Sequence, residues 1–406
     1  MFLQNREYSD STQVDSIDKN LPTRRRAGRR SIWLLWVLIF PLVSLGMVCY
    51  EFRYLQSMSD NDNMALKFWP TPLSTSSAIR GHTIIVLIAN YRDSKRCSET
   101  LDSIFSKAVL PDLISIGIYD QIFQNESSCI DTYCNLVGSS NCRRNQVTNF
   151  TIDAEYAKGP TVARYETEKM IQDEVFCLAI DSHLIFIKNW DKELILQYDL
   201  TENPKAIITG YPKAATKMNK SNVNDHGQLM CLAQIESEEK DAMVRYLPPI
   251  KVKPSKKPRL QSQLAGGFNF GTCEQAKRIR SDPYTPYLFH GEEYSRASRL
   301  WTHGYDFYAP SKHICFHWYE DRKVVWERDW GERYEIQQRS SRRVRHALGL
   351  PVSIQDFDMT DIQNFTLGKE RTFEQWKKFS GIDPLAPFAS EEDNQFNSCG
   401  ELQLIH

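Results

Sequence analysis

The sequence has almost no imbalance of charge. Its 50 lysines and arginines face 51 acidic residues, a formal net charge of -1, so no overall basic excess draws the chain to nucleic acid. It also lacks the composition of a disordered or collagen-like protein. Glycine and proline number only 18 each in 406 residues, and 41% of the residues are hydrophobic, as in a chain that buries a core. There is no internal repeat. No H-E-x-x-H pattern occurs, which removes the usual sign of a zinc hydrolase. Long apolar runs are absent with one exception, and that excludes a multi-span membrane protein. At about 150 residues per domain, the length allows two or three domains.

The exception is residues 31–50, SIWLLWVLIFPLVSLGMVCY, which carry no charge. Twenty helical residues at about 1.5 Å each span one hydrocarbon core, and a membrane helix tolerates Pro41. Arg24, Arg25, Arg26, Arg29 and Arg30 precede the run, and only Glu51 and Arg53 follow closely. Positive charge stays on the cytoplasmic side, so residues 51–406 are expected to be lumenal. A cleaved signal peptide is the competing reading. Its apolar core would be shorter and would start nearer the N-terminus.

Nine of the ten cysteines lie beyond this run. Cys129, Cys134 and Cys142 fall in a polar stretch that reads as a disulfide-stapled loop in an oxidising lumen. A zinc knot would need a fourth ligand, and no histidine is near. Nine is odd, so at least one of these cysteines should be unpaired. Glycosylation sequons occur at Asn125, Asn149, Asn219 and Asn364.

Residues 51–81, with Pro70, Pro72 and a serine-rich run, read as a stem. From 82 the pattern changes. Thr83–Ala89 is a continuous apolar run, as in a strand buried on both faces of a parallel sheet. Leu101, Ile104, Phe105 and Ala108 follow at helical spacing, and Ile114, Ile116 and Ile118 alternate as a second strand. Gly159-Pro160 opens a helix that should run to about Asp173. Val175–Ile180 is a buried strand leading into Asp181, and Ala206–Thr209 is another candidate. In open α/β sheets, ligands bind beyond the carboxyl ends of the strands. Asn90-Tyr91-Arg92-Asp93 and Asp181-Ser182-His183 both sit at such ends and should share one crevice. Residues 247–260, with four prolines and five basic residues, read as an exposed loop. Gly291–Leu300 is predicted helical, with a stop at His303-Gly304. Residues 385–406 are expected to form a flexible tail.

Asp181-x-His183 after a hydrophobic strand offers oxygen and imidazole ligands that suit Mn²⁺ or a similar divalent ion. The alternative is a turn in which Asp181 bonds the following backbone. His313, Cys315 and His317 alternate, so one of them could complete a metal site, or all three could bind zinc. A buried core histidine is the plainer reading. Glu292 and Glu293 begin a helix. They either suit its dipole, with Glu292 paired to Arg296, or contact a substrate. Arg164 could meet a phosphate or cover the surface.

Several longer segments come in one order: IANYRD, AKGPTVARYETEKM, LAIDSHLIFIKNWDKELI, LFHGEEYSRASRLWTHGYDFYAPSKHICFHWY and LGKERTFEQWKKFSGID. They resemble the N-acetylglucosaminyltransferases that attach α-linked GlcNAc to a polypeptide hydroxyl. The best-known member of that family is a cytosolic enzyme acting on hydroxyproline. The resemblance covers about residues 82–384. It implies a GT-A fold, an α/β domain with a Rossmann-like nucleotide-sugar-binding sheet flanked by helices; the single N-terminal transmembrane helix read from residues 31–50 is a departure from the cytosolic member. It also implies UDP-GlcNAc as donor, a divalent cation, and retention of configuration.

Residue by residue, Asp181 and His183 match the metal and diphosphate motif. His317 matches the late metal-binding histidine. Asn90, Tyr91 and Arg92 match the donor-binding stretch, Gly159 and Arg164 match the segment before the metal motif, and Glu292 and Glu293 match the acidic pair at the acceptor side. The expected protein has a cytoplasmic tail (1–30), an anchor (31–50), a stem (51–81), a catalytic domain (82–384) and a tail (385–406). It is a type II protein of the Golgi or ER membrane that acts on a protein or glycan acceptor and has no nucleic-acid partner. The same fold with UDP-GalNAc or UDP-Gal, or a catalytically silent sugar-binding module, are the alternatives.

Overall fold

The computed structural model describes residues 82–219, 226–320, 330–390 and 394–405. The apolar run at 31–50 and the stem lie outside them. Among the described residues, no helix is long and apolar enough to cross a membrane.

The centre of the fold is an eight-stranded mixed sheet. In chain order its strands are β1 (Ile84–Tyr91), β2 (Ile114–Ile122), β3 (Val147–Asp153), β4 (Phe176–Asp181), β5 (Ala206–Thr209), β6 (Arg259–Gln261), β7 (Phe268–Thr272) and β8 (Asp306–Ala309). Their spatial order is β6-β8-β5-β7-β4-β1-β2-β3. β1, β2, β3 and β4 run parallel, while β7 runs antiparallel to both β4 and β5. The helices are α1 (Ser94–Lys107), α2 (Cys129–Val137), α3 (Pro160–Glu168), α4 (Trp190–Asp199), α5 (Cys273–Arg278), α6 (Glu292–Thr302), α7 (Trp330–Ala347) and α8 (Phe373–Ser380).

The continuous apolar run of β1 has the consequence its sequence predicts. Ile84, Val86 and Ile88 pack with Leu101, Ile104 and Phe105 of α1 on one face. Ile85 and Leu87 pack with Ile171, Cys273 and Ala276 on the other. A strand with both faces covered has no solvated side and therefore shows no alternation. A separate core gathers Tyr294, Leu300 and Trp301 of α6 with Val344 of α7 and Trp376 and Phe379 of α8.

Two pairings position the residues of interest. Ile88 and Ala89 of β1 lie opposite Ile180 and Asp181 of β4, so β4 ends within two residues of the end of β1. A three-stranded sheet then joins Leu184–Phe186, Cys315–His317 and Lys213–Ala214, with His317 opposite Leu184. That register brings residue 317 beside residue 183.

The structure corrects several expectations. The helix opened by Pro160 ends at Glu168 rather than Asp173. The stretch 247–260 is not all loop: Ile250–Val252 pairs with Gly227–Leu229, and Arg259 begins β6, which pairs with β8. Pro248 and Pro249 precede the first of these short strands and Pro254 and Pro258 lie between the two, so no ladder bond is lost. The C-terminal segment is not wholly loose either. Phe396–Asn397 pairs with Leu232–Ala233, Phe396 is buried, and Cys399 is joined to Cys231.

The other disulfides are Cys97–Cys129, Cys134–Cys142 and Cys177–Cys273, and Cys315 is free and buried. The three cysteines of the polar stretch are thus all in disulfides, and the odd count leaves one thiol. The Cys231–Cys399 link closes a loop of sequence separation 168. Replacing Cys399 with Ser should lower unfolding stability by about 2–5 kcal/mol in non-reducing buffer, and the difference should fall away in reducing buffer. Urea unfolding of the two proteins would measure this, and coincident curves would mean that the link contributes nothing.

Candidate active site

Asp181 is the last residue of β4, and its backbone N–H bonds the Gly267 carbonyl at 3.1 Å. His183 follows across Ser182. His317 arrives through the small sheet, with Trp318 N–H on the His183 carbonyl at 3.1 Å. One ligand atom from each of Asp181, His183 and His317 lies within 4.8 Å of the others. His317 Nε2 is 3.3 Å from Asp181 Oδ2, and the two imidazole rings meet edge-on with centroids 4.6 Å apart.

These residues fit a divalent cation. His183 Nε2 is buried and makes no hydrogen bond to a described residue, while its Nδ1 faces Asp93 Oδ2 at 3.3 Å. A carboxylate on Nδ1 fixes the proton there and turns the lone pair of Nε2 to the cluster, as in many carboxylate–histidine–metal arrangements. One carboxylate and two imidazoles form a mixed oxygen and nitrogen donor set that a divalent ion such as Mn²⁺ can occupy. His313 and Cys315 do not join it. His313 Nε2 lies 3.2 Å from the His226 carbonyl, and Cys315 is buried in the core. A zinc site of these two with His317 is therefore not formed.

Arg164 decides the electrostatics. It sits one turn into α3, where Gly159, in the left-handed region at φ 93°, starts the helix against the backbone of Tyr287. A Cβ at Gly159 would lie 3.2 Å from that backbone. The Arg164 guanidinium bridges Asp181 Oδ1, at 3.1 Å, and Glu292 Oε1. Four residues on, Glu168 pairs with Arg296 at 2.9 Å. Helices α3 and α6 are thus joined by two rungs of opposite polarity. The expected pairing of Glu292 with Arg296 within α6 is replaced by this cross-helix ladder.

The titration behaviour follows from burial and these charges. Burial acts to raise the Asp181 carboxyl, but the hydrogen bond from His317 and the charge of Arg164 overcome it and hold Asp181 well below the usual carboxylate range. Burial likewise acts on Asp93 but is outweighed by His183 and Arg96, leaving its pKa lowered. Burial lowers the Arg164 guanidinium, yet Glu292 and Asp181 raise it overall. Glu292 is raised by burial, which Arg164 only partly opposes. Glu293 is pushed up to about 7 by burial, against the hydrogen bonds of Tyr211 and Gly266.

The structure therefore brings Asp181, His183, His317, Arg164 and Glu292 into one cluster. Glu293 is linked to it through Gly266, whose N–H it accepts at 2.7 Å. The β1 end meets the cluster through Asp93, the last residue of the stretch expected to share this crevice, though it was given no role of its own. Asn90 is buried and donates to Asp120 at 2.8 Å, and the Arg92 guanidinium pairs with Glu126 at 3.0 Å over the Phe123 ring. Tyr91 lies opposite Gln121 of β2. These three residues thus lie towards β2 rather than at the cluster. Sequence reading also missed Tyr211 and the Gly266-Gly267 pair. Tyr211 follows the carboxyl end of β5, so the rule applied to β1 and β4 would have found it. The glycine pair ahead of β7 was a visible signal as well.

Removing the Arg164 charge would leave the buried Glu292 and the half-buried Asp181 without their shared partner. Arg164→Ala should therefore cost about 2–4 kcal/mol of unfolding stability, between an exposed and a fully buried pair. Denaturant unfolding is the measurement, and a loss below about 1 kcal/mol would contradict a buried bridge.

Comparison with known proteins adds to this geometry. No curated protein matches the sequence. Among solved structures, the chain is similar to GalNAc-T7 with UDP, GalNAc and Mn²⁺, at 14% identity and a TM-score of 0.45, covering 66% of this chain and 49% of that one. It thus spans about half the length of that relative. It is also similar to S. aureus TarS 1–349 in complex with UDP-GlcNAc, at 14% identity and a TM-score of 0.42, covering 67% of this chain and 68% of the other. A third is the mannosyltransferase PcManGT from Pyrobaculum calidifontis in complex with GDP-Man and Mn²⁺, at 12% and 0.37, covering 75% and 72%. Similarity this loose carries no information about substrate. The model of the glycosyltransferase (GlcNAc) family is different in weight, since it matches residues 83–140 and 131–386. Those matches take in about three quarters of the 406 residues, and the chain belongs to the glycosyltransferase (GlcNAc) family.

Proposed function

We propose that this glycosyltransferase moves N-acetylglucosamine from UDP-GlcNAc to a hydroxyl of a protein (hydroxyproline, Ser or Thr) or of a glycan, with retention at the anomeric carbon. One observation carries the reading. In a chain of the GlcNAc glycosyltransferase family, three side chains far apart in sequence, Asp181, His183 and His317, converge at the carboxyl end of β4. That is the edge of an α/β sheet where a nucleotide-sugar is expected.

A divalent ion such as Mn²⁺ held by these three would offset the charge that builds on the departing diphosphate. The residues themselves do the rest. Arg164 engages Oδ1 of Asp181 and keeps the carboxylate ionised, leaving Oδ2 on the side of His317. Asp93 sets the tautomer and tilt of His183. Asn90, Tyr91, Arg92 and the Gly159 corner belong to the donor side. Glu292, held by Arg164, is assigned to orienting the acceptor hydroxyl or the sugar. The hydroxyl attacks on the face from which the diphosphate leaves, and its proton passes to the departing phosphate oxygen.

The compartment is proposed to be the Golgi or ER lumen, with residues 31–50 as a type II anchor. The four disulfides among the described residues suit an oxidising compartment. Asn125, Asn219 and Asn364 are exposed.

Incubation with a panel of UDP-sugars and Mn²⁺, recording released UDP, should single out UDP-GlcNAc. His183→Ala should lower that release on the order of a hundredfold or more while the unfolding midpoint holds. Unchanged turnover in the variant would remove the metal assignment. Glycosidase treatment of the protein from a eukaryotic host should lower its mass, and an unshifted band would favour a cytoplasmic catalytic domain.

A further inference from the structure

Family resemblance places Glu293 on the acceptor side, yet both of its carboxylate oxygens are committed within the protein. Oε1 accepts the Gly266 backbone N–H at 2.7 Å, and Oε2 accepts the Tyr211 hydroxyl. Gly266 and Gly267 form the lead-in to β7, and two other charged groups rest directly on them. A Cβ built at Gly267 would lie 2.4 Å from Asp181 Oδ2, and one at Gly266 would lie 3.2 Å from the Arg164 guanidinium. The Gly267 carbonyl also takes the Asp181 N–H at 3.1 Å. The glycine pair is thus the floor of the cation site, and its bare main chain is what allows Asp181 so close.

A glycine floor is soft unless it is held. The holding groups here come from three directions. Thr209 Oγ1 accepts the Ala265 N–H at 2.9 Å. Asn269 Nδ2 donates to the carbonyls of Ala265 and Gly266 at 3.2 and 3.4 Å. Glu293 takes the Gly266 N–H and is itself fixed by Tyr211. Tyr211 and Glu293 come from the β5 end and the first turn of α6, so their bond links two parts of the chain across the floor.

We infer that Tyr211 and Glu293 are a positioning pair. They fix the Gly266–Gly267 main chain, and through it the aim of the Asp181 carboxylate, and neither of them handles a substrate proton. The inference rests on the reading of Asp181, His183 and His317 as a cation site. It differs from the family expectation in moving Glu293 from acceptor chemistry to the support of that site.

The test is a Mn²⁺ titration of the full-length protein without any sugar, read as the rise in thermal unfolding midpoint. Wild type should rise with Mn²⁺. In Tyr211→Phe and Glu293→Ala the half-point should move up by about tenfold or more, as is usual when support of a metal ligand is lost. In Glu293→Gln it should stay within about threefold, because the amide oxygen still accepts the Gly266 N–H and the amide NH₂ can donate to the Tyr211 oxygen. UDP release run in parallel should show the activity of Glu293→Gln restored well above that of Glu293→Ala. If the Gln variant is as inactive as Ala while the Mn²⁺ half-points of all variants match wild type, Glu293 is an acid or base and the inference is overturned. Should Glu293→Ala not fold, Tyr211→Phe and Glu293→Gln decide alone. A wild type with no Mn²⁺-dependent rise overturns the cation reading together with this inference. A rise that is indifferent to Tyr211→Phe overturns this inference only.

Discussion

The site depends on one buried guanidinium. Arg164 has a carboxylate on each side, Asp181 from the central sheet and Glu292 from α6. Burial works against the ionised form of both acids, and the guanidinium is the charge they share against it. A lysine could not take the position equally well. Two acids approached from different elements call for the planar, forked set of donors that only arginine offers. The second rung, Glu168 with Arg296, repeats the contact with its polarity reversed. A slip of one helix turn would set Arg164 against Arg296 or Glu168 against Glu292, so the ladder admits a single alignment of α3 on α6.

The two helices belong to different cores. α3 lies against β1 and β2, and α6 packs with α7 and α8 around Trp301 and Trp376. Arg164 and Glu292 therefore meet where two packed bodies of side chains abut. Hydrophobic packing can bring such bodies together, but it does not define their relative position to a few tenths of an ångström. Directional charge pairs can. The Asp181 carboxylate then inherits its aim from three sources: the end of a buried strand, a glycine floor that leaves it room, and the guanidinium that holds one of its oxygens.

How much of this was legible in the sequence varied with the range of the interaction. Buried parallel strands announce themselves as unbroken apolar runs, so β1 and β4 could be read, and with them the position of Asp181 and His183 just past a strand. His317 could be named from its alternation and from family resemblance. The reason it reaches His183, the pairing of Cys315–His317 with Leu184–Phe186, is a register between segments some 130 residues apart. No local pattern encodes that. The same limit explains the C-terminal segment. Residues 385–406 are polar and read as loose, because a disulfide from Cys399 to Cys231 cannot be inferred from spacing. The Glu292–Arg296 pairing failed for the converse reason. The i, i+4 rule describes an isolated helix, and here a neighbouring helix offered both residues better partners.

Family membership and geometry answer different questions, and the division is visible in the acidic pair at the start of α6. Two adjacent residues of one type, in one motif, invite one role. On a helix, however, neighbours in sequence point about 100° apart. Glu292 turns to Arg164 and the cation cluster, whereas Glu293 turns to Tyr211 and the Gly266 main chain. Glu292 is buried and Glu293 half-buried, and one faces a charge while the other faces neutral donors. This is why burial raises Glu293 to about 7, opposed mainly by the hydrogen bonds of Tyr211 and Gly266. A motif conveys which residues matter together. Only the directions of the side chains tell which of them can reach the chemistry and which supports the wall behind it.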